Sequence, residues 1–246
     1  MLSETTIDKF HELHLSKMAE MFREFLGSAE FADLSFEEKV GIMVDREWSS
    51  RRSSRLSRLC KESGYVISDA CVENINYAAQ RKLNKAMIAR LSACTFIQDA
   101  NNIIIQGATG TGKTYLSCAL GVSANRNFYP AKYFRLPDLL SDLENARING
   151  TYPKVIREVQ RVKLLILDEW MLYPLTKTEA RDILEIVDAR YKRHSTIFCS
   201  QFEVGGWYEK IGDATLADAI CDRIVNNAYR VVLEGESMRK ILGGVE

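Results

Sequence analysis

The residues most able to do chemistry in this chain stand close together. In "GATGTGKT", residues 107–114, Gly107, Gly112, Lys113 and Thr114 fit the spacing G-x-x-x-x-G-K-[ST]. Glycines let successive backbone N–H groups curl around an anion, and a helix N-terminus adds partial positive charge at the same point. A lysine in this position reaches the β- and γ-phosphates of a nucleotide, and the threonine hydroxyl ligates Mg2+. The nucleotide-binding stretch expected is therefore Gly107, Ala108, Thr109, Gly110, Thr111, Gly112, Lys113, Thr114 and Tyr115. ATP and Mg2+ are the expected cofactors.

A second acidic group complements this loop. "LLILDEW", residues 164–170, reads as a buried strand that delivers Asp168 and Glu169 to its C-terminal end, the edge at which open α/β sheets bind ligands. Asp168 can share the Mg2+ shell with Thr114, and Glu169 can orient or deprotonate an attacking water. A glutamate in that place favours water as acceptor, so the expected reaction is ATP hydrolysis. A small-molecule kinase must exclude water and would be less well served by Glu169. Beyond the next strand, "CSQF" offers Ser200 and Gln201 near the γ-phosphate, and the choice between them stays open. Arg223 and Arg239, read alone, are surface ion-pairing arginines.

The elements that must position these groups follow from the pattern of apolar residues. Residues 1–100 contain no proline and three glycines, with Leu13, Met18, Met21, Phe22 and Phe25 at helical spacing, so this region is expected to be helical with breaks near Gly27 and Gly64. From residue 102 short β-branched runs alternate with helical stretches, the signature of a parallel sheet buried on both faces. Strands are expected at 103–106, 132–135, 164–168, 196–200 and 229–233. Helices are expected near 113–126, 137–148, 177–192 and 214–226, with Thr176 and Glu179 forming a capping box before the third. Right-handed crossovers make this a doubly wound α/β domain. The division expected is a helical N-terminal domain over 1–64, a helical linker over 65–100 and the ATPase domain over 101–246.

Composition narrows the partners. The whole chain is neutral, with 33 basic and 33 acidic residues, yet its charge is unevenly spread. Residues 1–45 hold 4 basic and 10 acidic side chains, net −6, and residues 46–90 hold 10 basic and 4 acidic, net +6. Within the second segment "REWSSRRSSRLSRLCKESG" sets Arg51, Arg55 and Arg58 on one helical face with Arg52 and Lys61 nearby, interleaved with serines. Such side chains are the usual partners of phosphate oxygens and bind duplex DNA without reading its sequence. A second basic cluster follows at Arg81, Lys82, Lys85 and Arg90. A solvated face paired with the acidic segment is the competing expectation. The six cysteines lack metal-binding or disulfide spacing, and no leader or membrane-spanning run of apolar residues occurs, so a soluble cytoplasmic protein is expected, without a membrane partner.

Taken with "LHLSKMAEMFREFL", "IGDATLADAICDRIVNNA" and the ending "GESMRK", the motifs resemble the IstB-like ATPases of insertion sequences, relatives of the helicase loader DnaC within the AAA+ superfamily. The resemblance implies an AAA+ core with strand order 5-1-4-3-2 behind a helical N-terminal domain, without a C-terminal helical lid because about a dozen residues follow the last strand. It implies that Arg223 is an arginine finger acting on a neighbouring subunit's nucleotide and that Arg239 is a second sensor. Ser200 and Gln201 replace the asparagine common at the first sensor. The implied partners are duplex DNA, an IstA-type transposase and further copies of the chain in an ATP-dependent homo-oligomer. A DnaC-like helicase loader is the alternative role.

Overall fold

The structure, a computed structural model, describes residues 2–77 and 83–238, leaving aside the side chain of Leu2. Arg81, Lys82 and Arg239 lie outside the described residues. The chain forms two compact units, Met1–Arg58 and Leu59–Glu246.

The first unit is helical: α1 (Leu2–Glu12), α2 (Ser16–Gly27), a 3-10 turn at Ala29–Phe31, and α3 (Phe36–Ser63), most of whose length lies here. Ile7, Ala19, Met21 and Met43 are its buried apolar residues, flanked by edge-to-face pairs Phe10–Phe22 and Phe25–Phe31. The breaks fall where glycine was expected to place them, α2 ending on Gly27 and α3 one residue before Gly64, whose φ is +69°. The start of α2 has an unusual cap. Leu15 at the N-cap offers no side-chain acceptor, and the Glu47 carboxylate, on α3, accepts the N–H groups of Lys17 at 2.9 Å and Met18 at 3.3 Å instead.

The second unit carries α4 (Lys85–Ser92) and α5 (Thr95–Gln98), then the α/β core. In chain order the core runs β1 (Asn102–Gly107), α6 (Lys113–Arg126), β2 (Ala131–Arg135), α7 (Leu136–Ile148), α8 (Tyr152–Arg161), β3 (Leu164–Trp170), α9 (Lys177–Arg190), β4 (Ser195–Ser200), α10 (Val204–Ile211), α11 (Ala214–Val225) and β5 (Ala228–Leu233). The five strands are parallel in the order β2-β3-β4-β1-β5, as the resemblance implied. Alternate strand residues feed two separate cores. Ile103, Ile105, Ile166 and Cys199 pack with α4, α5 and α6 on one face, while Ile104, Leu165, Leu167 and Phe198 pack with α7 to α11 on the other. The capping box forms: Thr176 N–H donates to Glu179 at 2.7 Å and Glu179 N–H to Thr176 at 3.3 Å.

Two helices of this core were not anticipated. α8 reads as charged, "YPKVIREVQR", because only Ile156 and Val159 are fully buried, with Tyr152 and Val155 half-buried beside them. α10, "VGGWYEKI", carries two glycines that argue against a helix, yet Trp207 is fully buried and holds it on the sheet.

Candidate active site

β1 ends on Gly107 and α6 begins at Lys113, so the phosphate-loop motif is the turn between a central strand and the N-terminus of a buried helix. Gly112 sits at the helix N-cap with φ +95°. The Lys113 side chain is nearly enclosed, and its ammonium donates to the carbonyls of Gly107 at 2.7 Å and Ala108 at 2.9 Å. Burial lowers its pKa, and the nearby Asp168 partly opposes that shift.

Asp168 is the meeting point of three elements. It is only 4% exposed, and its Oδ2 accepts the Thr114 hydroxyl at 2.6 Å and the Tyr133 hydroxyl at 2.9 Å, while Oδ1 accepts the N–H of Glu169 at 2.8 Å. Burial and then the Asp168 charge push the Tyr133 phenol upward, so it stays a protonated donor. A hydroxyl and a carboxylate oxygen placed side by side fit Mg2+, which takes one or two protein oxygens and completes its shell with phosphate and water. Tyr133 was not anticipated. Its signal is topological: β2 lies beside β3, which pairs Tyr133 with Ile166 and Arg135 with Asp168.

Glu169 is turned by a bulge. The register between β3 and β4 runs from Leu167↔Phe198 to Trp170↔Ser200, one extra residue on β3, and Glu169 adopts φ +55° there. Both of its carboxylate oxygens accept from one guanidinium nitrogen, Nη2, of Arg135 at the end of β2, at 2.9 Å each. Arg135 also lies 3.5 Å from Asp138. Nothing in the linear spacing singled Arg135 out.

Ser200 and Gln201 separate cleanly. Ser200 is 1% exposed, and its hydroxyl donates to the Trp170 carbonyl at 3.1 Å and accepts from Trp207 Nε1 and Phe202 N, each at 3.1 Å. It braces β4 against α10. Gln201 is exposed, and its side-chain oxygen accepts the Thr109 hydroxyl at 2.9 Å, across from β4 to the phosphate loop. Tyr115, on the first turn of α6, is tied to the backbone of Cys71, accepting its N–H at 3.4 Å and donating to its carbonyl at 3.2 Å.

Arg223 does not join this cluster. It lies on α11, on the face of the sheet opposite α6, and donates to Asp188 at 2.6 Å and to the Ala219 carbonyl at 2.9 Å. It lines a shallow cleft with Arg181, Leu184 and Glu185.

The arginine face of α3 is exposed at Arg51, Arg52, Arg55, Arg58 and Lys61. Arg51 has a second engagement: its Nε donates to Glu47 at 2.6 Å and its NH2 group to the His14 carbonyl at 2.6 Å, which braces the turn between α1 and α2. Arg52 lies over the Trp48 ring at 5.0 Å. In the second unit Lys132, Lys154, Arg157 and Arg161 line an open groove of about 790 Å³ along α8 together with Glu158, which pairs with Lys132 at 2.9 Å, so the groove is net basic.

Five parallel strands in this order, a phosphate loop leading into a buried helix, and an acidic pair on the adjoining strand define a P-loop ATPase of the AAA+ class. The sequence profile described as IstB-like ATP binding protein matches residues 8–242, and the chain belongs to that family. It is 40% identical over 240 residues to a putative insertion sequence ATP-binding protein, y4pL, of Sinorhizobium fredii, covering 98% of each chain. Among solved structures it is similar to DnaI, with a TM-score of 0.58 at 19% identity over 67% of this chain and 91% of that one. It is similar also to AMPPCP-bound DnaA from Aquifex aeolicus, with a TM-score of 0.58 at 20% identity over 71% of this chain and 53% of that one. Among the described residues no helix is long and apolar enough to cross a membrane.

Proposed function

We propose that this protein uses ATP to assemble on duplex DNA in the cytoplasm, where it prepares a target for an insertion element and recruits and stimulates an IstA-type transposase. The observation that carries the ATP-dependent half is the convergence of Lys113, Thr114, Asp168 and Glu169 at one sheet edge, with Thr114 and Asp168 in direct hydrogen bond. The transposition half is supported by a family match that spans nearly the whole chain, together with relatives named for insertion sequences.

Each residue has its part in this reading. Lys113 holds the β- and γ-phosphates, exchanging the two loop carbonyls for phosphate oxygens. Thr114 and Asp168 would hold Mg2+, which when bound would supply positive charge against the charge developing on the phosphates. Glu169 orients the attacking water once it parts from Arg135. Gln201, one residue beyond β4 and tethered to Thr109, replaces Ser200 as the polar group that senses the phosphate loop. Arg223 faces away from its own loop, and an arginine so placed serves the nucleotide of the next subunit. Such sharing makes assembly depend on ATP. Arg239 would add a second sensor.

DNA affinity is assigned to the α3 arginines, with the α8 groove as a further basic face. Because one subunit makes few phosphate contacts, an array held by nucleotide at its interfaces multiplies them along one duplex. The test is binding to two unrelated duplexes across a salt series, with and without ATP, for wild type and for a variant with Arg52, Arg55 and Arg58 changed to alanine. Arg51 is spared because it braces its own unit. Loss of three phosphate contacts makes the slope of log K against log[salt] shallower by about 2.7, at about 0.9 per contact, equally on both duplexes. An unchanged slope with intact assembly assigns the α3 face to solvent and moves the DNA surface elsewhere. Binding of a replicative helicase in place of the transposase would sink the transposition reading and favour the loader.

A further inference from the structure

The segment that follows β5 does not leave the domain; it returns across the phosphate loop. The β5 end comes first: a Cβ built on Gly107 would lie 2.5 Å from the Leu233 carbonyl oxygen. Gly235 then turns the chain with φ +106°, a conformation that side-chain-bearing residues rarely adopt. Ser237 arrives against Gly110, where an added Cβ would overlap the Ser237 hydroxyl oxygen and lie 2.9 Å from its Cβ and 3.3 Å from its Cα. Finally the N–H of Met238 donates to the Gly110 carbonyl at 2.8 Å. Gly107 and Gly110 therefore leave no room for a side chain where this segment passes, and Gly110 in addition adopts φ +83°.

We infer that residues 234–238 form a strap that sets the phosphate loop in its binding shape, and that the Met238 N–H is the contact through which it acts. In a trans peptide the C=O and the N–H point in opposite directions. Holding the Gly110 carbonyl from outside therefore aims the Thr111 N–H into the loop, where it closes the turn onto the Ala108 carbonyl at 3.3 Å. The same carbonyl accepts the Thr111 hydroxyl at 2.8 Å and the Lys113 ammonium at 2.9 Å, so the orientation of one peptide is tied to the position of the phosphate-binding lysine. Without the strap that peptide can flip, and its carbonyl would then face incoming phosphate. Met238 is a positioning residue in this scheme, and its backbone does the positioning. The inference rests on reading the loop as a nucleotide site.

The experiment compares full-length wild type, Met238→Pro, Met238→Ala and Gly235→Val by titration with fluorescently labelled ADP, with hydrogen exchange of residues 107–112 followed in the absence of nucleotide. Met238→Pro removes the N–H while leaving an apolar side chain. Gly235→Val leaves the N–H in place but forbids the turn that delivers it. Both are expected to weaken ADP binding by roughly 3- to 10-fold, the range of one net hydrogen bond, and to speed exchange in the loop. Met238→Ala keeps the N–H and, as the conservative variant, should recover most of the affinity and the slow exchange. Wild-type affinity and exchange in both Met238→Pro and Gly235→Val overturn the strap. Equal weakening by proline and alanine overturns the N–H as its working contact. If wild type itself does not bind ADP, the nucleotide reading fails, a result distinct from a wild type that binds and a proline variant that matches it.

Discussion

Arg135, at the end of β2, holds both carboxylate oxygens of Glu169 at 2.9 Å, and the two residues meet only because β2 and β3 are neighbours in the sheet. A glutamate gripped in this way cannot orient water. The pair is half exposed on the arginine side, so solvent screens it and its hold on Glu169 is weak. Arg135→Ala is therefore expected to raise basal ATP turnover about 2- to 5-fold with nucleotide affinity unchanged. Glu169→Gln is expected to keep affinity and cut turnover by about 10²-fold or more. Steady-state hydrolysis beside equilibrium nucleotide binding checks both, and a fall in turnover for Arg135→Ala would make Arg135 part of the catalytic apparatus instead.

The position of Arg223 across the sheet from α6 leads to a mixing experiment. Arg223→Ala alone should bind ATP and hydrolyse it about 10³-fold or more slowly, the scale of an arginine supplied by a neighbour. Lys113→Ala alone should fail to bind nucleotide. Combined, the two should recover part of the activity, because a subunit with Arg223→Ala keeps an intact loop and receives the arginine of its neighbour. Co-assembled mixtures with no recovery would place Arg223 in its ion pair with Asp188 and nowhere else.

Glu47 links stability to pH. Burial acts to raise its pKa, but the hydrogen bonds from Arg51 and from the N–H groups of Lys17 and Met18 outweigh burial and hold it below the usual carboxylate value. A folded-state pKa lower than the unfolded one contributes stability that is present above the unfolded value of about 4.3 and is lost as pH falls through the folded value. Glu47→Gln should therefore destabilise the first turn of α2 by about 1 kcal/mol at pH 7, the usual worth of a cap, and by much less near pH 3. Hydrogen exchange at Lys17 and Met18 in the full chain reads this directly. An equal difference at both pH values would remove the charge from the argument.

Arg190 is a buried cation that no carboxylate among the described residues pairs with. It is 2% exposed, and it donates to the Val159, Gln160 and Val162 carbonyls at the end of α8, to the Ser195 carbonyl, and to the Thr196 hydroxyl. The helix end carries the negative partial charge that a counter-ion would otherwise supply. Arg190→Met leaves those acceptors buried and unpaired and should cost about 3 kcal/mol or more of unfolding free energy. A denaturant midpoint within error of wild type would show that water takes over these contacts.

What the sequence determined by itself is what lies within a few residues. The phosphate loop, the apolar runs of the five strands, the capping box at Thr176 and the glycine breaks at Gly27 and Gly64 all depend on local spacing, since backbone conformation and side-chain period are set by near neighbours. The acidic pair was legible for the same reason, as the end of a buried run. Tertiary structure decided everything that depends on where a strand ends or on distance along the chain. Ser200 and Gln201 are adjacent and both polar, and the end of β4 between them leaves the first under Trp207 and the second, past the strand, against Thr109. Arg51 reads as one of a row of phosphate-binding arginines until α3 packs against the α1–α2 turn and places it on Glu47 and His14. The grip of Arg135 on Glu169 and the passage of Ser237 over Gly110 join residues 34 and more than a hundred positions apart. No local pattern encodes such pairs, because they exist only once the strand order and a one-residue bulge have put two strand ends side by side.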